Sequence, residues 1–300
     1  MPGRTPVTSF VAPRPNPRAR LRELLAARGP LIAPGAYDAL SARLVQQAGF
    51  DVVYMTGFGT SASLLGRPDV GLLGGAEMTD NARRMAQAVD VPLIADADTG
   101  YGNALNVVRT VREYEQAGVA GLQLEDQVSP KRCGHMAGKA VIDVEEAVAK
   151  VRAAVAARTD PDLVVIARTD VAQVEGTRAA IDRALRFADA GADVLFVEAP
   201  RTAEDVELVA TELKGHHLLF NWVEGGQTEG LTMERVAELG FSLVLFPIST
   251  LLAATHAMQA ALSTLRQTSS TAGAPMGDFD GFLQTIGLPE LRADEARFAG

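Results

Sequence analysis

A closed (β/α)8 barrel of the TIM type is what three features of this chain predict together. A helix-ending glycine recurs before an apolar run, eight such runs can be counted, and nearly every run ends in a polar residue. The junctions read AGFDVVYM, AGVAGLQL, AGADVLFV and LGFSLVLF. In each, glycine supplies a left-handed helix end, and the strand that follows is apolar throughout, as a strand of a parallel sheet buried on both faces must be. An open doubly wound sheet is the alternative that the same alternation permits.

In chain order the expected strands are LIAP near Leu31, VVYM near Val53, PLIADAD near Ile94, GLQLED near Leu122, LVVIARTD near Val165, VLFVEA near Leu195, LLFNW near Leu219 and LVLFP near Val244. Between most of them, apolar residues at helical spacing predict helices, for example over 104–117, 144–157, 177–190 and 232–239. Residues 1–16, rich in proline and arginine, are expected to be a disordered lead-in, 17–267 the barrel, and 268–300 a C-terminal extension. Within the tail, 266–281 reads as loop and LPELRADEARF as a short helix.

Composition narrows the function. Of 300 residues, 47% are hydrophobic, enough for one large core. Lys and Arg total 28 against 37 Asp and Glu, a net charge of −9, and no basic block follows residue 28; a nucleic-acid partner is not expected. One cysteine cannot form an intramolecular disulfide, and no segment approaches the roughly 18 apolar residues of a membrane helix. Proline interrupts the place where a secretory signal would be apolar, so a cytoplasmic protein with no membrane partner is expected.

The polar strand ends are Asp96 and Asp98, Glu125 and Asp126, Arg168 and Asp170, Glu198, and Asn221. In a barrel the C-terminal strand ends converge on one mouth. Asp96 and Asp98, two apart on an extended strand end, are expected to point the same way. Three carboxylates gathered there with Glu125 repel one another unless a cation sits among them. Hard oxygen donors without clustered His or Cys imply Mg2+ or Mn2+ rather than zinc. For Asp126 and Asp170 a helix cap or a solvated loop position is an equal reading. His216, His217 and His256 show no ligand spacing, and Trp222 is expected to pack at the mouth.

The only cysteine lies in PKRCGHMAGK, among cations. Most free cysteines are small buried hydrophobes. Lys131, Arg132 and His135 make this a poor setting for burial and a good one for a reactive thiol.

DADTGYGN, LEDQVSPKRCGHMAGK, ARTD, AGADVLFVEA and NWVEGG, in that order, resemble the isocitrate lyase/phosphoenolpyruvate mutase superfamily over about residues 31–265, and KRCGH resembles the loop of its lyase branch. The resemblance implies a Mg2+-dependent lyase that cleaves a 2-hydroxy di- or tricarboxylate to an oxo acid such as pyruvate plus a carboxylate. It implies Asp96 next to the metal, with Asp98, Glu125 and Asp69 acting largely through waters. Tyr54, Thr56, Gly57 and Phe58 would meet the oxo-acid carboxylate, while Arg168, Glu198 and Asn221 would face the substrate's other groups. Cys133 would be the proton donor, with Lys131, Arg132, Gly134 and His135 around it, and Gly134 and Gly138 would let the loop move. Tyr54, or a metal-bound water oriented by Asp69, is the candidate base. The resemblance further implies a homotetramer in which the last barrel helix, 249–265, is exchanged between neighbours.

Three departures bear on the substrate. Met136 stands where methylisocitrate lyases carry arginine, Phe58 where a small residue is common, and Trp222 and Glu229 where relatives show a smaller apolar residue and proline. With no cationic partner for a third carboxylate, a dicarboxylate such as a substituted malate fits at least as well as a tricarboxylate. Oxaloacetate hydrolysis or decarboxylation, phosphonomutase chemistry, and a non-catalytic metabolite-binding barrel are the competing expectations.

Overall fold

The computed structural model describes residues 11–27, 29–133, 138–225 and 231–299. Eight parallel strands close on themselves in sequence order: β1 Leu31–Ala36, β2 Val53–Met55, β3 Leu93–Asp96, β4 Gly121–Glu125, β5 Val164–Thr169, β6 Val194–Val197, β7 His217–Asn221 and β8 Leu243–Phe246. The last strand pairs with the first, Leu31 opposite Leu243, so no sheet edge is left. The expected barrel is therefore the observed fold.

Before the barrel comes α1 Pro17–Ala26. The helices among and after the strands are α2 Ala39–Gln47, α3 Gly57–Leu65, α4 Gly75–Ala88, α5 Ala104–Ala117, α6 Val144–Ala157, α7 Ala172–Glu175, α8 Thr177–Asp189, α9 Ala203–Glu212, α10 Met233–Glu238, α11 Ser249–Thr268, α12 Phe279–Thr285 and α13 Leu288–Phe298. The junction glycines behave as their position predicts: Gly118 ends α5 at φ 96°, and Gly49, Gly191 and Gly240 also take positive φ.

Side-chain alternation along each strand sorts the core into two layers. Ala33, Tyr54, Ile94, Ile166, Phe196, Leu219 and Leu245 point inward and form one cluster. Leu21 and Leu25, one helical turn apart on α1, join that cluster and plug the end opposite the mouth. Met55, Ala95, Leu122 and Val165 point outward against the helical ring. The same parity carries inward the residues at the strand ends, Asp96, Glu125, Arg168, Glu198 and Asn221. Alternation thus builds the floor of the mouth.

The tail differs from the expected loop. Asp278 accepts a hydrogen bond from Gly281 N–H and caps α12, which begins inside the stretch read as irregular. Gln47 and Arg43 of α2 donate to the carbonyls of Thr285 and Ile286, which ties the end of α12 to the barrel. Residues 1–10, most of the expected lead-in, lie outside the described residues.

Candidate active site

A cavity of about 240 Å3 opens at the C-terminal ends of the strands. Its lining includes the ionic and amide side chains of Asp69, Asp96, Glu125, Lys131, Arg168, Glu198 and Asn221 and the apolar ones of Phe58, Phe196, Val223, Leu245, Pro247 and Ile248. Tyr54, Thr56 and Cys133 complete the wall.

Asp96 is the last residue of β3. Its Oδ2 accepts from Gly57 N–H at 3.2 Å and its Oδ1 from Asp98 N–H at 3.0 Å. Burial, followed by the charge of Asp98, raises its carboxyl to about 6, against the pull of Lys131 and Arg168. Asp98 comes to the site by a different route from the one expected. It lies beyond the strand in a left-handed conformation, φ 47°, so a turn and not strand alternation aims its side chain. Glu125 is pushed well above the usual carboxylate range by burial, which outweighs the neighbouring Arg168.

The cation expected among these acids is partly built into the chain. Lys131 Nζ lies 2.6 Å from Asp69 Oδ2 and 2.7 Å from Asp98 Oδ1, with only 5% of the side chain exposed. Burial opposes its charge, but Asp98, Glu125, Asp96 and Asp69 outweigh that and hold the ammonium well above its usual pKa. Lys131 is therefore a partner of the acids; the expectation that cations beside the thiol would keep this segment unburied does not hold for it. Arg168 donates Nε and Nη2 to the two oxygens of Asp170 at 2.8 and 3.0 Å, lies 3.4 Å from Glu125 and 3.6 Å from Glu198, and stacks over the Phe196 ring. Asn221 donates to both oxygens of Glu198, at 3.3 and 3.4 Å.

Four buried carboxyl groups, Asp69, Asp96, Asp98 and Glu125, offer hard oxygen donors suited, when ionised, to a divalent cation. Glu125 Oε1 has no hydrogen-bond partner among the described residues. Among those residues no three His, Cys, Asp or Glu side chains converge closely enough to enclose a bare ion.

Tyr54 and Gly57 both have hydrogen-bond partners within the chain. The Tyr54 hydroxyl donates to Gln123 Oε1 at 3.3 Å, and burial, with Asp96 second, holds it well above its usual pKa. A neutral phenol that already donates weighs toward the other candidate base, a metal-bound water oriented by Asp69. Gly57 N–H is given to Asp96. A Cβ on Gly57 would stand 2.5 Å from Asp96 Oδ2. Gly57→Ala is therefore expected to displace Asp96 and lower turnover by about 100-fold, the cost of roughly 1 Å of misplacement, while the melting curve stays close to that of the parent; steady-state kinetics beside a thermal melt checks both halves.

Thr56 caps α3 through Gly59 N–H. The Cys133 side chain borders the cavity half-buried, and its N–H donates to the Asp69 carbonyl at 3.2 Å. Arg132 is pinned through its backbone by both ends of the Gln127 amide. Gly134, His135, Met136 and Glu229 lie outside the described residues. Trp222 packs edge-on against Phe220 and stacks on Phe246 rather than lining the cavity, where its neighbour Val223 does.

Sequence reasoning passed over Gln123 and undervalued Asp170. Each lies two residues from an acknowledged site residue, Glu125 and Arg168, and so shares its face, which was the available signal. Asp126 is neither solvated nor a helix cap: buried, it accepts from Thr169 Oγ1, Asp170 N–H and Arg183 and fixes the turn after β5.

Residues 21–266 match the family described as phosphoenolpyruvate phosphomutase. The 2,3-dimethylmalate lyase of Eubacterium barkeri is 45% identical over 95% of this chain and 99% of its own. A crystal structure of 2,3-dimethylmalate lyase superposes with a TM-score of 0.91 at 39% identity, covering 96% of this chain and 97% of that one. Oxaloacetate acetylhydrolase bound to 3,3-difluorooxalacetate gives 0.91 at 37%, covering 96% and 99%. With acids, arginine and cysteine around one mouth and matches of this extent, the chain belongs to the phosphoenolpyruvate phosphomutase family and is an oxo-acid lyase of the PEP mutase/isocitrate lyase superfamily.

Proposed function

We propose that this lyase cleaves a substituted malate of the 2,3-dimethylmalate type to pyruvate and a carboxylate. The observation that carries the reading is the origin of the cavity's lining: Asp96, Glu125, Arg168, Glu198 and Asn221 stand at the consecutive strand ends β3 to β7, while β8 and the turn after it bring only the apolar Leu245, Pro247 and Ile248. A dicarboxylate with alkyl substituents matches both kinds of lining. A third carboxylate against the apolar residues would be buried without a partner.

In this reading Asp96 holds Mg2+, or Mn2+, with Asp98, Glu125 and Asp69 contributing through waters. When bound, the metal supplies Lewis-acid stabilisation of the oxygen that becomes the new carbonyl. Arg168 binds a substrate carboxylate, and Thr56 and Phe58 shape the oxo-acid end beside it. Asn221 and Glu198 orient the remaining polar group. The substrate hydroxyl loses its proton to a water oriented by Asp69, the C2–C3 bond breaks, and its electron pair passes into the departing carboxylate as an aci-carboxylate. Cys133 then gives its thiol proton to that carbon, and Arg132 and His135 steady the charge.

Incubation with 2,3-dimethylmalate, methylisocitrate, oxaloacetate and a phosphonate, scored by NMR of the products, tests the reading. Pyruvate formed fastest from 2,3-dimethylmalate supports it. Acetate and oxalate from oxaloacetate would support the second reading, a hydrolase, favoured by the equally close superposition of oxaloacetate acetylhydrolase. Rearranged phosphonate would indicate a phosphonomutase, and no turnover with retained oxalate binding would make the chain a metabolite-binding barrel.

We further propose a cytoplasmic homotetramer in which α11 is exchanged between copies. α11 runs for 20 residues without one that is buried, and Met258, Leu262 and Leu265 form an exposed stripe at helical spacing. Light scattering is expected to give four times the mass of one chain; a monomer with full activity would remove the exchange. Among the described residues no helix is long and apolar enough to cross a membrane.

A further inference from the structure

Arg168 is held from behind by an ionic chain that the proposed chemistry does not use. Asp170 follows it by two residues, one past the end of β5, and its carboxylate meets the Arg168 guanidinium along one edge. The Asp170 carboxylate is spent in full on two cations. Its Oδ2 takes Arg168 Nε at 2.8 Å, while its Oδ1 is shared between Arg168 Nη2 at 3.0 Å and Lys139 Nζ at 2.7 Å. The Lys139 side chain is 2% exposed and that of Asp170 0%, so neither partner is a surface charge. Burial works against the Asp170 charge, and Arg168 and Lys139 together still hold its carboxyl down to about 2.

Lys139 reaches this position on a built support. Asp126 to Val128 and Ala140 to Ile142 run antiparallel, joined by Val128 N–H to the Ala140 carbonyl, Ile142 N–H to the Asp126 carbonyl, and the bridge between Gln127 and Val141. Asp126 also accepts from Asp170 N–H at 2.9 Å, so one short ladder sets both ends of the Lys139–Asp170 pair. Arg168 meanwhile faces Glu125 at 3.4 Å and Glu198 at 3.6 Å, two further acids competing for the same guanidinium. One arginine among three carboxylates is a poor anion receptor unless another cation takes part of that charge. Lys139 is the cation placed to do so.

We propose that Lys139 and Asp170 are positioning residues for Arg168. Asp170 fixes the Nε/Nη2 edge of the guanidinium in its plane, and Lys139, by drawing on the shared oxygen, keeps Arg168 from being neutralised by its own acids and so able to bind an anionic carboxylate. The assignment rests on the proposed role of Arg168 in substrate binding.

The test is a double-mutant cycle on Lys139 and Arg168, read as the dissociation constant of oxalate with Mg2+ by calorimetry, which needs no turnover. Lys139→Met is expected to weaken oxalate binding about tenfold, Lys139→Arg to restore it to within about threefold, and Lys139→Met to have no further effect once Arg168→Met is present, because residues acting through one another are not additive. If Lys139→Met is insoluble, Lys139→Gln takes its place under the same criteria. Wild-type affinity in the single variant, equal defects in Lys139→Met and Lys139→Arg, additive losses in the double variant, or no oxalate binding by the wild type would each overturn the assignment. Failure of the wild type to cleave 2,3-dimethylmalate would sink the proposed substrate but leave this cycle readable.

Discussion

Cys133→Ser is expected to bind oxalate and Mg2+ as the parent does and to turn over substrate at least about 100-fold more slowly. A factor of 100 is about 2.7 kcal/mol of barrier, within the range for removing a positioned general acid. Serine keeps the shape and a hydrogen-bond donor, but its hydroxyl is far less acidic than a thiol, so the carbanion would have to wait for solvent. The binding half of the prediction follows from placement. Cys133 borders the cavity, while the groups that hold charge there are Asp96, Asp98, Glu125, Lys131 and Arg168. One link to that set is a backbone hydrogen bond, Cys133 N–H to the Asp69 carbonyl, which serine leaves in place. Single-turnover kinetics beside calorimetry separates the two halves. Near-normal turnover in the serine variant would take the thiol out of the reaction, and a parallel loss of oxalate binding would recast Cys133 as a packing residue.

The parts of this site that could be read from the sequence are those governed by strand alternation. Asp96, Glu125, Arg168, Glu198 and Asn221 each end an apolar run, and parity with the inward residues below them puts all five on the floor of one mouth. The barrel was legible for the same reason, since a strand buried on both faces must be apolar throughout. What lay beyond reading depends on the paths of loops. Asp98 owes its aim to a left-handed turn. Lys131 reaches Asp69 across 62 residues of chain, and Lys139 reaches Asp170 across 31, neither by any local period. The hydrogen bond from the Tyr54 hydroxyl to Gln123 likewise joins side chains 69 residues apart in sequence. In the tail, the cap formed by Asp278 is a single side-chain contact set in a stretch whose composition otherwise says loop.

Affinity for Mg2+ is expected to fall about tenfold for each pH unit below about 6. Asp96 is the proposed direct ligand, and a proton on its carboxyl excludes the metal, so the two compete one for one. The position of the break follows from the site. Burial first and Asp98 second raise the Asp96 carboxyl from 3.8 to about 6, while Lys131 and Arg168 pull the other way without cancelling them. Linkage fixes the sign for the metal-free protein. Because the folded carboxyl holds its proton more tightly than the unfolded one, this group's contribution to stability is complete below pH 3.8 and is lost as pH rises through about 6. Bound metal offsets that loss, since a ligand specific to the folded state stabilises it by mass action. At a fixed Mg2+ concentration the rise in Tm should therefore be large at pH 7.5 and small at pH 5. Asp96→Asn removes the competing proton together with the ligand charge, so it should flatten the pH profile and weaken Mg2+ at least about 100-fold, the upper end of what even outer partners of a metal site cost. A Tm response to Mg2+ that is the same at both pH values, or one that survives Asp96→Asn undiminished, would place the cation on other groups and leave Lys131 as the charge that balances these acids.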